Sequence, residues 1–296
     1  YKAGENNLIP ALDETAYITV TKTNPEEAMM RINKSPSENR VSLDNRPLLD
    51  IWELTSEPLP GGTSGFSRAK NLLDTVKSYG LDDLWVQYNP WGSTPFGDLP
   101  CGWISPIHMP ANQAFGGESE MRTLSATAAS HGYLFALYQT YTVMHRNTVN
   151  GSLHPEWNPN NLIRDPSGNF SNFGYVTPEC PPINNIPQPF TVRPDKWVQY
   201  TQESQRIKNS YNTTASFLDV HSKFSYPLAI DFSAANPDSR TFKQVYQHGV
   251  NLFNEQRRIF GGPVGGEGGP DDALPMEAMY AVAVDAVEGE SAAGDK

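Results

Sequence analysis

Two acidic residues in this sequence stand in surroundings that suit catalysis. Asp219 falls inside the apolar run Ala215-Ser216-Phe217-Leu218-Asp219-Val220, where burying a carboxylate is costly unless it is paired or faces a solvated site. Glu267 is framed by glycines in Gly265-Gly266-Glu267-Gly268-Gly269, which let the backbone turn sharply and let another group approach closely. If the two close neighbouring strands, their carboxyl groups come about 5 to 10 Å apart across one pocket. That is the range in which paired carboxylates hydrolyse glycosides, and about 5 to 5.5 Å suits the retaining mechanism. One carboxylate must stay ionised to attack while the other holds a proton, and different environments can separate them. Each residue also has a structural reading: Asp219 as a loop cap or the partner of an arginine, Glu267 as part of a surface loop.

Further polar residues gather at the ends of the apolar runs: Asp50 and Glu53, then Asn89 and Trp91, Gln139 and Tyr141, and finally His221 beside Asp219. In parallel α/β folds the C-terminal strand ends point side chains into the site. Asp50, Asn89, Trp91, Tyr138, Gln139 and His221 are therefore the expected substrate contacts. Trp91 and Tyr138 are the aromatics expected to stack on a sugar ring, whereas Trp85 and Trp197 read as core. His145, His154 and His221 with Asp219 leave a metal-dependent hydrolase open as an alternative, but no metal-ligand spacing occurs among the six histidines. The glycine-rich stretch 261–269 lacks the Gly-Lys-Ser/Thr end of a phosphate loop. Neither a metal nor a cofactor is expected.

The elements that must position these residues alternate from Pro47 onward: a short apolar run, a loop, then a segment of helical period. Strands are expected at 48–54, 84–88, 133–138, 215–220 and 263–269, with helices near 67–79, 118–130, 196–209 and 241–260. Ser67 reads as an N-cap and Gly80 as a stop. This alternation predicts an α/β fold with a parallel sheet. Residues 1–45 are expected to form a separate N-terminal β segment around Tyr17–Thr21, and 46–296 the barrel region, with a long insertion at 143–195 expected to wall the site. Five units where a (β/α)8 barrel needs eight predict an incomplete barrel and a chain cut from a larger protein.

Composition narrows the partners. The 296 residues carry 22 Lys and Arg against 33 Asp and Glu, a net charge of −11, which opposes docking on nucleic acid or an anionic membrane. No apolar run approaches the ~18 to 20 residues of a membrane span. The two cysteines, Cys101 and Cys180, leave one disulfide or two free thiols open. The sequence begins with Tyr1, which is consistent with removal of a leader and with an extracytoplasmic or secreted protein.

The stretch from about 215 to 275 resembles a known family. Phe217-Leu218-Asp219-Val220, the long helix ending in Ile259-Phe260-Gly261, and Val264-Gly265-Gly266-Glu267-Gly268-Gly269 are similar to the barrel of glycoside hydrolases related to endo-α-N-acetylgalactosaminidases, with Tyr138-Gln139 and Ile163–Gly168 adding to the likeness. The resemblance implies a retaining α-glycosidase on a (β/α)8-type barrel, with a glycan or glycoconjugate as substrate, Asp219 as nucleophile and Glu267 as acid/base. A non-catalytic carbohydrate-binding barrel is the other reading that the same aromatics allow.

Overall fold

In the computed structural model, which describes residues 46–52, 65–92, 106–146, 152–171, 190–221 and 229–266, the alternation read from the sequence becomes five parallel strands connected through helices. The elements are β1 (Leu48–Trp52), α1 (Gly65–Ser78), β2 (Trp85–Asn89), α2 (Gly117–Ser130), β3 (Leu134–Gln139), β4 (Val143–Met144), β5 (Phe190–Thr191), α3 (Thr201–Tyr211), β6 (Ala215–Leu218), α4 (Phe242–Phe260) and β7 (Val264–Gly266). The segment 1–45 lies outside the described residues, as do Glu53, Cys101, Trp103, Cys180 and Glu267.

The main sheet runs β1-β2-β3-β6-β7, so spatial order follows chain order without reversal. Every neighbouring pair is parallel. A doubly wound sheet would reverse direction and bury both faces under helices. Here Phe66 of α1 meets Tyr88, Ser204 of α3 bonds Gln139 and Gln256 of α4 bonds Ser216. The register puts these three strand residues on one face. The other face is the one a barrel turns inward.

Helix α4 shows how local signals fix the frame. Thr241 caps it and Gln244 answers with the reciprocal bond, while Gly261 ends it in the left-handed region at φ 67°. Such a cap is worth about 1 kcal/mol. Its stripe of Val245, Leu252, Phe253, Ile259 and Phe260 is buried, and each large apolar side chain removed from water contributes roughly 1.5 to 3 kcal/mol. On the inner face Trp85 reaches over Gly265, where a Cβ would come within 2.2 Å of the indole. Gly265 is thus the space into which the ring fits.

The structure departs from the sequence reading at three places, the first being α1, which begins at Gly65 and so takes Ser67 inside the helix and not as its N-cap. Residues 194–200 wind as a 3-10 helix from Pro194 before α3 begins. The insertion carries its own structure: β4 pairs antiparallel with β5, and bridges join Leu162 to Val192 and Arg164 to Phe170. Trp157, Phe170 and Phe190 pack edge to face. The wall is tied down by the buried Asp231, whose carboxylate accepts the amides of Arg164 (2.9 Å) and Ser233 (3.0 Å) and the Asn236 side chain (2.6 Å), with Arg193 Nε 3.7 Å away.

Candidate active site

Asp219 follows β6 directly, and its N–H donates to the Gln139 carbonyl at 2.9 Å, carrying the β3–β6 pairing one residue past the strand. Ala215, Phe217 and Asp219 share the inner face by alternation. Tyr138, opposite Phe217 in the register, shares it too. Its hydroxyl donates to Asp219 Oδ2 at 2.5 Å, a charge-assisted bond of the strong class. Asp219 is 6% exposed, and this bond offsets part of the desolvation of its carboxylate. Val220 then turns the chain at φ 55°, a conformation that a β-branched residue adopts only under constraint.

Tyr138 is itself held from behind. The Trp91 indole donates to the Tyr138 carbonyl at 2.8 Å and stacks on His108, with ring centroids 6.1 Å apart. Just past β3, two successive backbone amides end on imidazoles: Thr140 N–H donates to His108 Nε2 (3.1 Å) and Tyr141 N–H to His221 Nε2 (3.0 Å). Both rings are buried, and burial pushes both down to about 3. The His108 segment is anchored in turn by Glu203 of α3, whose Oε1 accepts the amides of His108 and Met109 at 2.8 and 2.7 Å.

Of the residues expected at the site, the structure brings together Asp219 and Tyr138, and puts Asp50 and Asn89 on the same inner face. Three of the expected contacts are turned elsewhere in this structure. Gln139 points to the helices, since its neighbour Tyr138 points inward. There its amide bonds Ser216 and its Oε1 accepts from Tyr141 and Ser204. Trp91 is buried between His108 and Tyr211 and supports Tyr138 instead of offering a face to a sugar. His221 is wholly buried and holds backbone. Among the described residues no three His, Cys, Asp or Glu side chains group as metal ligands. His108 and Glu203 were not singled out as site residues by the sequence. His108 stands out as a polar residue between Ile107 and Met109, whereas Glu203 sits in the polar run Thr201–Arg206 and carries no such signal.

The buried imidazoles set an acid limit. An unfolded histidine protonates near pH 6.5, whereas these stay neutral in the fold to about 3. The unfolded chain therefore binds more protons across that window. Their contribution is complete above about pH 6.5 and falls by about 1.4 kcal/mol per pH unit for each ring as pH drops. His154, held down to about 4 by burial, adds to the same slope. Urea midpoints measured from pH 7.5 to 4.5 should fall steeply, and the His108→Gln/His221→Gln double variant, which keeps an acceptor at each place, should fall less. Equal slopes would remove these two histidines as the cause.

No protein-family model matches the sequence, and no curated protein is similar to it. Solved structures do share the fold. The α-N-acetylgalactosaminidase NagBb from Bifidobacterium bifidum, complexed with Gal-NHAc-DNJ, matches with TM-score 0.59 at 15% identity over 88% of this chain and 43% of that chain. Its GalNAc complex gives 0.57 at 15% identity over 88% and 38%. An α-amylase from Malbranchea cinnamomea gives 0.51 at 12% identity over 84% and 52%. The structural neighbours are glycoside hydrolases. At these identities the likeness is one of fold: an α/β barrel of which the described residues supply five strands. The chain spans about half or less of each neighbour's length.

Proposed function

We propose that this chain carries the nucleophile-bearing wall of a retaining α-glycosidase acting on an α-linked hexose or N-acetylhexosamine, as its resemblance to glycoside hydrolases related to endo-α-N-acetylgalactosaminidases implies. The observation that carries the reading is the Asp219 carboxylate: buried on the inner face at the end of β6 and oriented by Tyr138 at 2.5 Å. The glycosidase fold neighbours support it, as does the place of Glu267 immediately after β7, the strand paired to β6.

In the first step an Asp219 oxygen bonds to the anomeric carbon as the glycosidic C–O bond breaks, and the Glu267 carboxyl gives its proton to the departing oxygen. Water then attacks the same carbon, its proton passes to Glu267, and the ester to Asp219 breaks. Two inversions give net retention. The test is proton NMR of the first-formed sugar during cleavage of aryl α-galactoside, α-glucoside and α-N-acetylgalactosaminide. The α-anomer is expected. A β-anomer, or no cleavage of any of the three, overturns the reading.

A further inference from the structure

The inner face holds polar side chains that this chemistry leaves unused. Gln87 and Asn89 of β2 are 2% and 4% exposed, yet Gln87 Nε2 and Asn89 Oδ1 are buried without a hydrogen-bond partner among the described residues. An unmet buried amide destabilises a fold, and its retention calls for a reason such as a ligand that completes it. Trp85, Gln87 and Asn89 share one face by alternation, and Trp85 marks that face as the inner one because its ring covers Gly265. The register sets Asp50 beside Gln87 and Trp52 beside Asn89 on β1.

Trp52 differs from the buried Trp85, Trp91 and Trp197: it is 50% exposed. Its indole N–H donates to Asp50 Oδ2 at 2.6 Å, so an exposed aromatic face is held in a fixed orientation. Asp50, expected to contact substrate, here orients the ring that would.

The geometry points to a sugar subsite formed by Trp52, Asn89 and Gln87, taking one neutral pyranose. The ring's C–H face lies on Trp52, one sugar hydroxyl donates to Asn89 Oδ1, and Gln87 Nε2 donates to a sugar oxygen. The two amides are spaced by two residues, about 6.6 Å along the strand, and Asn89 lies two strand spacings, about 10 Å, from the line of β6. One ring with its hydroxyls bridges that gap and brings its anomeric carbon towards Asp219. The choice of a sugar as ligand rests on the glycosidase reading.

Isothermal titration of the protein with free N-acetylgalactosamine, galactose and glucose, followed in parallel by tryptophan emission, tests the subsite. Asn89→Leu, Gln87→Met and Trp52→Ala should each weaken binding about tenfold or more. Trp52→Phe should retain most of the affinity and lose most of the emission change. Thermal midpoints separate a binding role from a structural one: Asn89→Leu removes an unmet polar group, so its midpoint should hold or rise while affinity falls. Parent binding and cleavage with unchanged affinity in the variants overturns this inference alone. A parent that neither binds nor cleaves overturns both readings. Binding that the variants weaken, without cleavage by the parent, supports the subsite and overturns the catalytic reading.

Discussion

Asp219→Asn is expected to lower kcat for an aryl α-glycoside by at least about 10⁴-fold, because it removes the one atom that can form the glycosyl ester while changing almost nothing else. The asparagine Oδ1 still accepts the Tyr138 hydroxyl, which now donates to Asp219 Oδ2 at 2.5 Å. The backbone bond from residue 219 to the Gln139 carbonyl is untouched. Replacing a buried charge by a neutral amide also relieves desolvation. The thermal midpoint should therefore hold or rise as activity disappears, and that combination separates loss of the nucleophile from loss of the fold. Asp219→Ala opens room for an external nucleophile. Added azide should restore cleavage and give a glycosyl azide of the opposite anomer. Retention of more than a tenth of the parent kcat in Asp219→Asn would remove this residue from the chemistry.

The largest stability effect is expected at Asp231. Its carboxylate gathers two backbone amides, the Asn236 side chain and the Arg193 guanidinium, while Arg193 also forks onto Asp195 at 2.9 and 2.8 Å. Asp231→Ala leaves the Arg164 and Ser233 amides and the Asn236 side chain without their acceptor, while Arg193 keeps Asp195, a loss of about 3 to 5 kcal/mol at about 1 to 3 for each unmet donor. Burial pushes the Asp231 carboxyl up, against the opposing pull of the Arg164 and Ser233 amides, Asn236 and Arg193. Asp231→Asn, which carries no charge to desolvate and keeps one acceptor, should therefore cost less than the alanine. Urea unfolding measures both. Hydrogen exchange should locate the damage in residues 152–171 and 190–200, because Asp231 joins Arg164 in one to Arg193 in the other. Protection unchanged there in Asp231→Ala would mean that the wall is held by its apolar contacts alone.

Much of the frame was legible in the sequence because its signals are local. The apolar run 133–138, the helical stripe of 241–260 and the stop at Gly80 each report a conformation decided within a few residues, and the five strand–helix steps followed. What could not be read was parity. A strand covered on both faces has no polar alternation to show which residues look inward, so Tyr138 and Gln139 were equal candidates although of the two side chains only that of Tyr138 meets the Asp219 carboxylate. Trp91 and His221 misled for a related reason: being next to the site in sequence is compatible with lying beneath it. His108 and Glu203 act through contacts across long stretches of chain, the histidine on Thr140 and the glutamate on the His108 segment. No sequence window holds both partners. Trp52 had no distinguishing mark in the sequence, since Trp85 and Trp197 also follow an aspartate by two residues.

Val220, held at φ 55° immediately after Asp219, has a bearing on how this protein can be altered. Such a conformation costs about 1 to 3 kcal/mol and persists because its surroundings impose it. Mutational tolerance should accordingly be uneven: permissive on the solvent side of the helices, strict at one bend. A laboratory selection for heat resistance that reaches position 220 would relax the bend and misdirect the carboxylate it aims, giving a hardier protein with blunted activity.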